Sequence, residues 1–190
     1  ISIFNTSIKE ISTEKFKDLE KLTVSNSKIK GLDLSKNTKL KELDISNNKF
    51  ESGIDISNCR DLVEFSATSC GLKKLDVSKN TNLGSLEISY NSIAAIDLTG
   101  LDNLTTFYAA NQVYDITLIN NTFNLTKLDD YGFDISKMTL NADDDGVTRS
   151  GNILTFDENT ENVGYIYNTG IEDKPLYVTL SVDERIESNY

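Results

Sequence analysis

Residues 40–50 read LKELDISNNKF and residues 83–93 read LGSLEISYNSI. Superposed, the two share one frame, L-x-x-L-x-I-S-x-N-x-[FI]. Similar hexads stand at residues 19–24 (LEKLTV), 62–67 (LVEFSA) and 104–109 (LTTFYA). The leading leucines, Leu19, Leu40, Leu62, Leu83, Leu104 and Leu125, follow one another at 21 residues, with one step of 22. Ile1, Ile3 and Ile8 mark an incomplete copy before them. A fixed period of this length is the signature of a solenoid, in which each turn of chain stacks on the next. One such coil buries too little apolar surface to offset the ordering of its backbone, so the coils must cover one another.

Each period divides into two similar halves. The second half reads IKGLDLSKN from Ile29, LKKLDVSKN from Leu72 and IAAIDLTGL from Ile93. The half from Phe50, FESGIDISNC, has one extra residue, which accounts for the single 22-residue step. Both halves alternate apolar and polar residues with period two, the pattern of a strand with one buried face. The expected architecture is therefore mostly β: a solenoid of 21–22-residue coils with two short strands per coil. The inward residues should include Leu22, Val24, Leu43, Ile45, Leu62, Leu75, Val77, Leu86, Ile88 and Leu98.

Turn residues recur at fixed offsets after the strands. One column reads Ser27, Asn48, Cys70, Asn91 and Asn111; the other reads Asn37, Cys59, Asn80, Leu101 and Asn121. Tight turns leave backbone N–H and C=O groups without strand partners, and burial makes that costly. An inward asparagine supplies both donors and an acceptor. Cysteine is small and a weak donor, so Cys59 and Cys70 read as buried, reduced thiols in the turns.

The frame is that of leucine-rich repeats. It resembles the 21–22-residue repeats of bacterial cell-surface proteins, including internalin-like adhesins and surface proteins of gut bacteria. The resemblance covers residues 1–121. It implies a binding module at the cell surface or outside the cell, with a protein ligand as the first expectation. A structural spacer that displays other domains, or a carbohydrate-binding surface protein, are the alternatives. The shortened stretch YAANQVYDITL and Leu101 at an asparagine position depart from the pattern.

Composition supports a non-enzymatic reading. The chain has 190 residues, no histidine and two cysteines. Without histidine the common nucleophilic triads cannot be assembled, so no catalytic residue is assigned. Two cysteines cannot build a zinc site unaided, and no cofactor is implied. A net charge of -11 repels a phosphate backbone, which argues against nucleic acid. No run of 18 apolar residues is present, so no membrane span is expected.

The charge is uneven. Residues 122–190 hold 14 Asp/Glu against five Lys/Arg, and the repeat dissolves there. Segments 152–156, 163–168 and 175–182 alternate like strands, with the turn Asn168–Gly170 between the last two. Two units are expected: the solenoid over 1–121 and an acidic, small antiparallel β cap over 122–190. Within the second, NADDDGVTRSGN at 141–152 places Asn141, Asp143 and Asp145 like the opening ligands of a calcium loop. Arg149 and Asn152 stand where later ligands are needed, so the segment reads as an exposed acidic turn, with calcium the functional alternative.

The outward residues of the two halves differ. In the second half they barely change: Asp33, Asp55, Asp76 and Asp97, each followed two residues on by Ser or Thr. Stacked aspartates repel, so each is expected to accept a local hydrogen bond. In the first half they vary, as a recognition face requires. Asp44, Glu87, Tyr90 and Tyr108 are the candidate ligand contacts there, the tyrosines being typical anchors.

Overall fold

The computed structural model describes residues 1–142 and 144–188. Six short strands, β1 (Ser2–Phe4), β2 (Lys21–Ser25), β3 (Glu42–Asp44), β4 (Glu64–Ser66), β5 (Ser85–Glu87) and β6 (Thr106–Tyr108), form a parallel sheet in chain order. Leu22, Leu43, Phe65, Leu86 and Phe107 stand in one register row across it. Leu43 and Ile45 are buried while Asp44 between them is half-exposed, as period two requires. All ten residues expected to point inward are buried.

Each strand is followed within three residues by one in the left-handed region: Asn5, Asn26, Asn47, Ser69, Tyr90 and Asn111, with φ between 51° and 58°. Asparagine tolerates this conformation better than other non-glycine residues. The next residue turns inward and hydrogen-bonds the turns. The Asn48 amide donates to the carbonyls of Val24 (2.7 Å) and Ile45 (2.8 Å), and its oxygen accepts from the Ile29 N–H at 3.1 Å. Asn91 does the same one coil further on, to Ala67 and Ile88. Cys70 occupies this position between them, and its thiol donates to the Ile45 carbonyl at 3.1 Å.

The next member of this column is Gln112, not Asn111. The Gln112 amide reaches the carbonyls of Ile88 (2.8 Å) and Ala109 (3.2 Å), and its oxygen accepts from Ile93 N–H at 3.0 Å. Its extra methylene does not change the role. Asn111, exposed, belongs to the left-handed column instead. In the other column, Asn37 and Asn80 are buried and donate to carbonyls of the preceding turn. Leu101 ends that column as a purely apolar plug, and Asn121 lies outside it, in the left-handed turn after the next strand.

The second halves of the coils do not become strands. They run extended, but adjacent coils share one backbone bond there, such as Lys49 N–H to Ile29 C=O (2.9 Å) or Ser92 N–H to Leu72 C=O (2.8 Å). Each of Asp33, Asp55, Asp76 and Asp97 accepts the backbone N–H two residues later at 2.9 Å. That local bond starts a turn and withdraws the donor from any ladder. The solenoid thus has one strand per coil instead of two. The extra residue of the third coil sits in a turn ending at Gly53, whose φ of 85° suits glycine.

The remaining chain forms a second sheet. It comprises β7 (Gln112–Ile119), β8 (Thr122–Asn124), β9 (Met138–Leu140), β10 (Val147–Ser150), β11 (Ile153–Phe156), β12 (Asn162–Tyr167) and β13 (Leu176–Ile186), in the order β10-β11-β8-β7-β13-β12-β9. Two 3-10 segments, Leu125–Tyr131 and Ile135–Lys137, precede β9. The sheet is mixed and not purely antiparallel, because β7 and β13 pair in parallel. It begins at Gln112, inside the stretch where composition still looks like the repeat. Besides the bonds of Gln112, Tyr165 Oη donates to Ala94 C=O at 2.6 Å and Thr169 C=O accepts Leu98 N–H at 2.7 Å, fastening the sheet to the coils. The cores of both units form one continuous cluster.

Candidate binding surface

On the outer face of the six-stranded sheet the side chains stand in rows set by the parallel register. One row runs Ser2, Thr23, Asp44, Ser66, Glu87 and Tyr108. Beside it runs Lys21, Glu42, Glu64, Ser85 and Thr106. Three of the four candidate contacts therefore share one row, with Glu87 and Tyr108 direct cross-strand partners. Tyr90 stands apart, in the left-handed turn past the end of β5, yet is as exposed as Tyr108 at 61%. Such rows hold side chains on a rigid ladder, which lowers the ordering cost of docking a partner.

The face is acidic. Glu42, Asp44, Glu64 and Glu87 project from it, and Lys21 is paired with Glu42. Asp44 also accepts the Ser46 N–H at 2.9 Å, and Ser46 and Ser66 share a hydroxyl bond of 2.9 Å, so the middle of the row is braced. Glu42 and Glu64 are not among the sequence candidates, although their position, one before the inward Leu43 or Phe65, carries the signal.

At the end of the sheet the row runs into a cleft of about 530 Å³. One wall is β6 and the residues up to Ala110; the other is Asp173, Lys174, Pro175 and Tyr177 from the second sheet. Tyr108 and Tyr177, at 61% and 59% exposure, stand on its two walls. Lys174 is paired with its neighbour Asp173 at 3.1 Å. No local sequence pattern reveals this cleft, because its walls are about 65 residues apart in the chain.

The opposite side of the coils carries a second groove of about 650 Å³. Asp55, Asp76 and Asp97 line it above Ile54, Leu75 and Ile96. Its carboxylates already serve the turns, and Asp97 also meets Lys137 at 3.4 Å. Hydrogen bonds from the Ser35 backbone and hydroxyl hold the Asp33 carboxyl below the usual carboxylate range. The Ser57 hydroxyl and backbone do this for Asp55, and those of Thr99, with Lys137, for Asp97.

The remaining candidates are placed as follows. Cys59 and Cys70 are unpaired and buried, and burial raises both thiols to about 11. Asn141 and Asp145 are exposed, and Asp143 lies outside the described residues. That loop is tied down by Asp144, whose carboxylate accepts Gly164 N–H at 2.6 Å. Among the described residues no group of three metal-ligating side chains gathers, and no helix is long and apolar enough to cross a membrane.

Comparison with known proteins agrees with this geometry. The leucine-rich repeat family model matches residues 39–64. No curated protein matches the chain in sequence. Among solved structures, the functional domain of InlJ from Listeria monocytogenes superposes with a TM-score of 0.53 at 18% identity, covering 93% of this chain. This chain spans 60% of the length of that one. The InlJ domain includes a cysteine ladder, whereas here Cys59 and Cys70 fall in two different turn columns. The chain thus has a leucine-rich-repeat fold, similar to that of the InlJ domain.

Proposed function

We propose that this protein is a non-enzymatic recognition module that binds a protein partner on the outer face of the six-stranded sheet, at a bacterial cell surface. The observation that carries the reading is the row Asp44–Ser66–Glu87–Tyr108 leading into the tyrosine-walled cleft. Varied side chains on an unvarying ladder are suited to specificity, and Tyr90 and Tyr108 are the aromatic anchors within reach of it. The acid side chains call for a partner with a basic surface. The acidic C-terminal third, on this reading, caps the solenoid and frames one end of the face. The turn columns of Asn37, Asn48, Asn80, Asn91 and the two cysteines have a structural role only.

The test is capture of surface and secreted proteins with a photo-crosslinker placed at Ser66, followed by affinity measurement on the purified partner. Tyr108→Ala should weaken that affinity by about 2 kcal/mol. Asp76→Asn, on the other side of the coil, should leave it within experimental error. The reverse ranking would move the site to the aspartate side and sink the assignment.

A further inference from the structure

The outer edge of β6 is open. Thr106 N–H bonds Gly84 C=O (3.0 Å), Tyr108 C=O accepts Ile88 N–H (2.7 Å), and Ala110 C=O accepts Tyr90 N–H (2.8 Å). In a parallel ladder alternate residues turn their backbone groups to opposite sides. The N–H and C=O of Phe107 and the N–H of Ala109 therefore point away from β5, into the cleft. Among the described residues none of these three groups has a hydrogen-bond partner; only the Ala109 carbonyl is taken, by Gln112. The edge exists because the chain leaves the solenoid at Gln112 and enters the second sheet instead of adding another coil.

Sheet edges in stable proteins are blunted by charge, proline or a covering segment. β6 itself carries Thr106, Phe107 and Tyr108, with none of these devices. The segment facing it does not close the edge: Pro175 lacks an N–H, and the cleft between, about 530 Å³, falls within the roughly 300–1,000 Å³ of ordinary ligand pockets. The wall at residues 173–177 blocks a second folded copy from laying its own sheet alongside. A single extended segment fits. Tyr108 and Tyr177 flank it, and the nearest charge on the sheet face is Glu87, with Glu64, Asp44 and Glu42 beyond.

We propose that the partner contributes a short, extended, basic segment that adds as a seventh strand to β6 in this cleft, with a cationic side chain reaching past Tyr108 to Glu87. This rests on the recognition role assigned above and names the chemistry of the ligand for the same site. Main-chain hydrogen bonds to Phe107 and Ala109 supply the seating, and the two tyrosines clamp the segment.

Amide NMR of the isotope-labelled full chain tests it, with capped octapeptides of alternating lysine and valine as probes. The parent peptide should shift the Phe107, Ala109 and Tyr177 amides in a saturable way. A strand added at an edge bonds through alternate residues only. One of two N-methylated versions, methylated at every lysine or at every valine amide, should therefore lose more than about tenfold in affinity while the other keeps it. Tyr177→Ala should weaken the parent peptide about tenfold. Equal binding of both methylated peptides, shifts confined to the Glu42–Glu87 rows, or no shift with the parent peptide would each overturn strand addition. The crosslinking and Tyr108→Ala measurement on a whole partner stands separately, so loss of this inference would not by itself remove the recognition role.

Discussion

The two sides of each coil begin from the same alternating pattern and end differently. On one side ELD, EFS and SLE pair into a continuous parallel sheet; on the other LDL, LDV and IDL stack with a single backbone bond per coil. Hydrophobic periodicity does not separate them, since Leu32, Leu34, Leu75 and Val77 alternate as cleanly as Leu43 and Ile45. On the second side an aspartate two residues before Ser or Thr captures a backbone donor as the chain enters its turn. Asp44 has the same D-x-S spacing, the same place between two inward residues and the same 2.9 Å bond to Ser46 N–H, yet inter-coil bonds continue past it at Ile45 and Asn47. The motif alone therefore does not decide whether a strand forms.

This contrast is broken most severely by removing an inward amide. Asn91→Ala should cost about 3 kcal/mol or more in chemical denaturation, because it strands the buried carbonyls of Ala67 and Ile88 and the N–H groups of Cys70 and Leu72. A loss below 1 kcal/mol would mean that water replaces the amide and that the column is dispensable. A smaller effect is expected where the second sheet joins the bare side of the last coil. Tyr165→Phe removes the bond to Ala94 C=O and leaves that carbonyl buried, for about 1–2 kcal/mol. Were the variant as stable as the parent, the C-terminal third would not be a cap in any energetic sense.

How much of this is legible from sequence follows from range. The period, the inward residues and the asparagine column are set by contacts one coil apart, and the repetition displays them. Gln112 does not stand out by residue type, since a glutamine one position later performs the task of an asparagine. Local hairpin signals predict an antiparallel second sheet, whereas the β7–β13 pair joins Gln112 to Val178 with nothing local to announce it. The cleft at the end of the sheet is hidden for the same reason. Asp44, Glu87 and Tyr108 could be chosen from sequence because they vary on an otherwise constant frame, but Tyr177 and the open edge of β6 required the fold.

The thiols sharpen the comparison without an energetic scale. Cys59 and Cys70 sit on the two sides of the coil, one in each turn column, and both are buried and raised to about 11 by desolvation. Native protein at pH 8 should give almost no colour with a thiol reagent over minutes, and denatured, unreduced protein should give two equivalents. Finding neither thiol after denaturation would require a disulfide that the column positions do not permit. Finding one fast thiol in the native state would show that one side of the coil opens more readily than the other.

The smallest effect expected is in acid, and it bears on the aspartate side alone. Asp33, Asp55 and Asp97 have folded-state pKa values below the ordinary carboxylate value, because the Ser or Thr two residues later hydrogen-bonds the ionised form. A folded pKa below the unfolded one means that the unfolded chain takes up protons first. The stabilisation is complete above roughly pH 4, the unfolded value, and drains away as pH falls through the folded one. These carboxylates are exposed, so each contributes little and salt screens it further. Replacing all three by Asn keeps an oxygen to accept the same backbone N–H but removes the proton linkage. The triple variant should melt slightly lower than the parent at pH 6, and the gap should narrow between pH 4 and pH 2.5. A gap that stays constant over that interval would show that the turns are set by geometry alone and owe nothing to the charge of the aspartates.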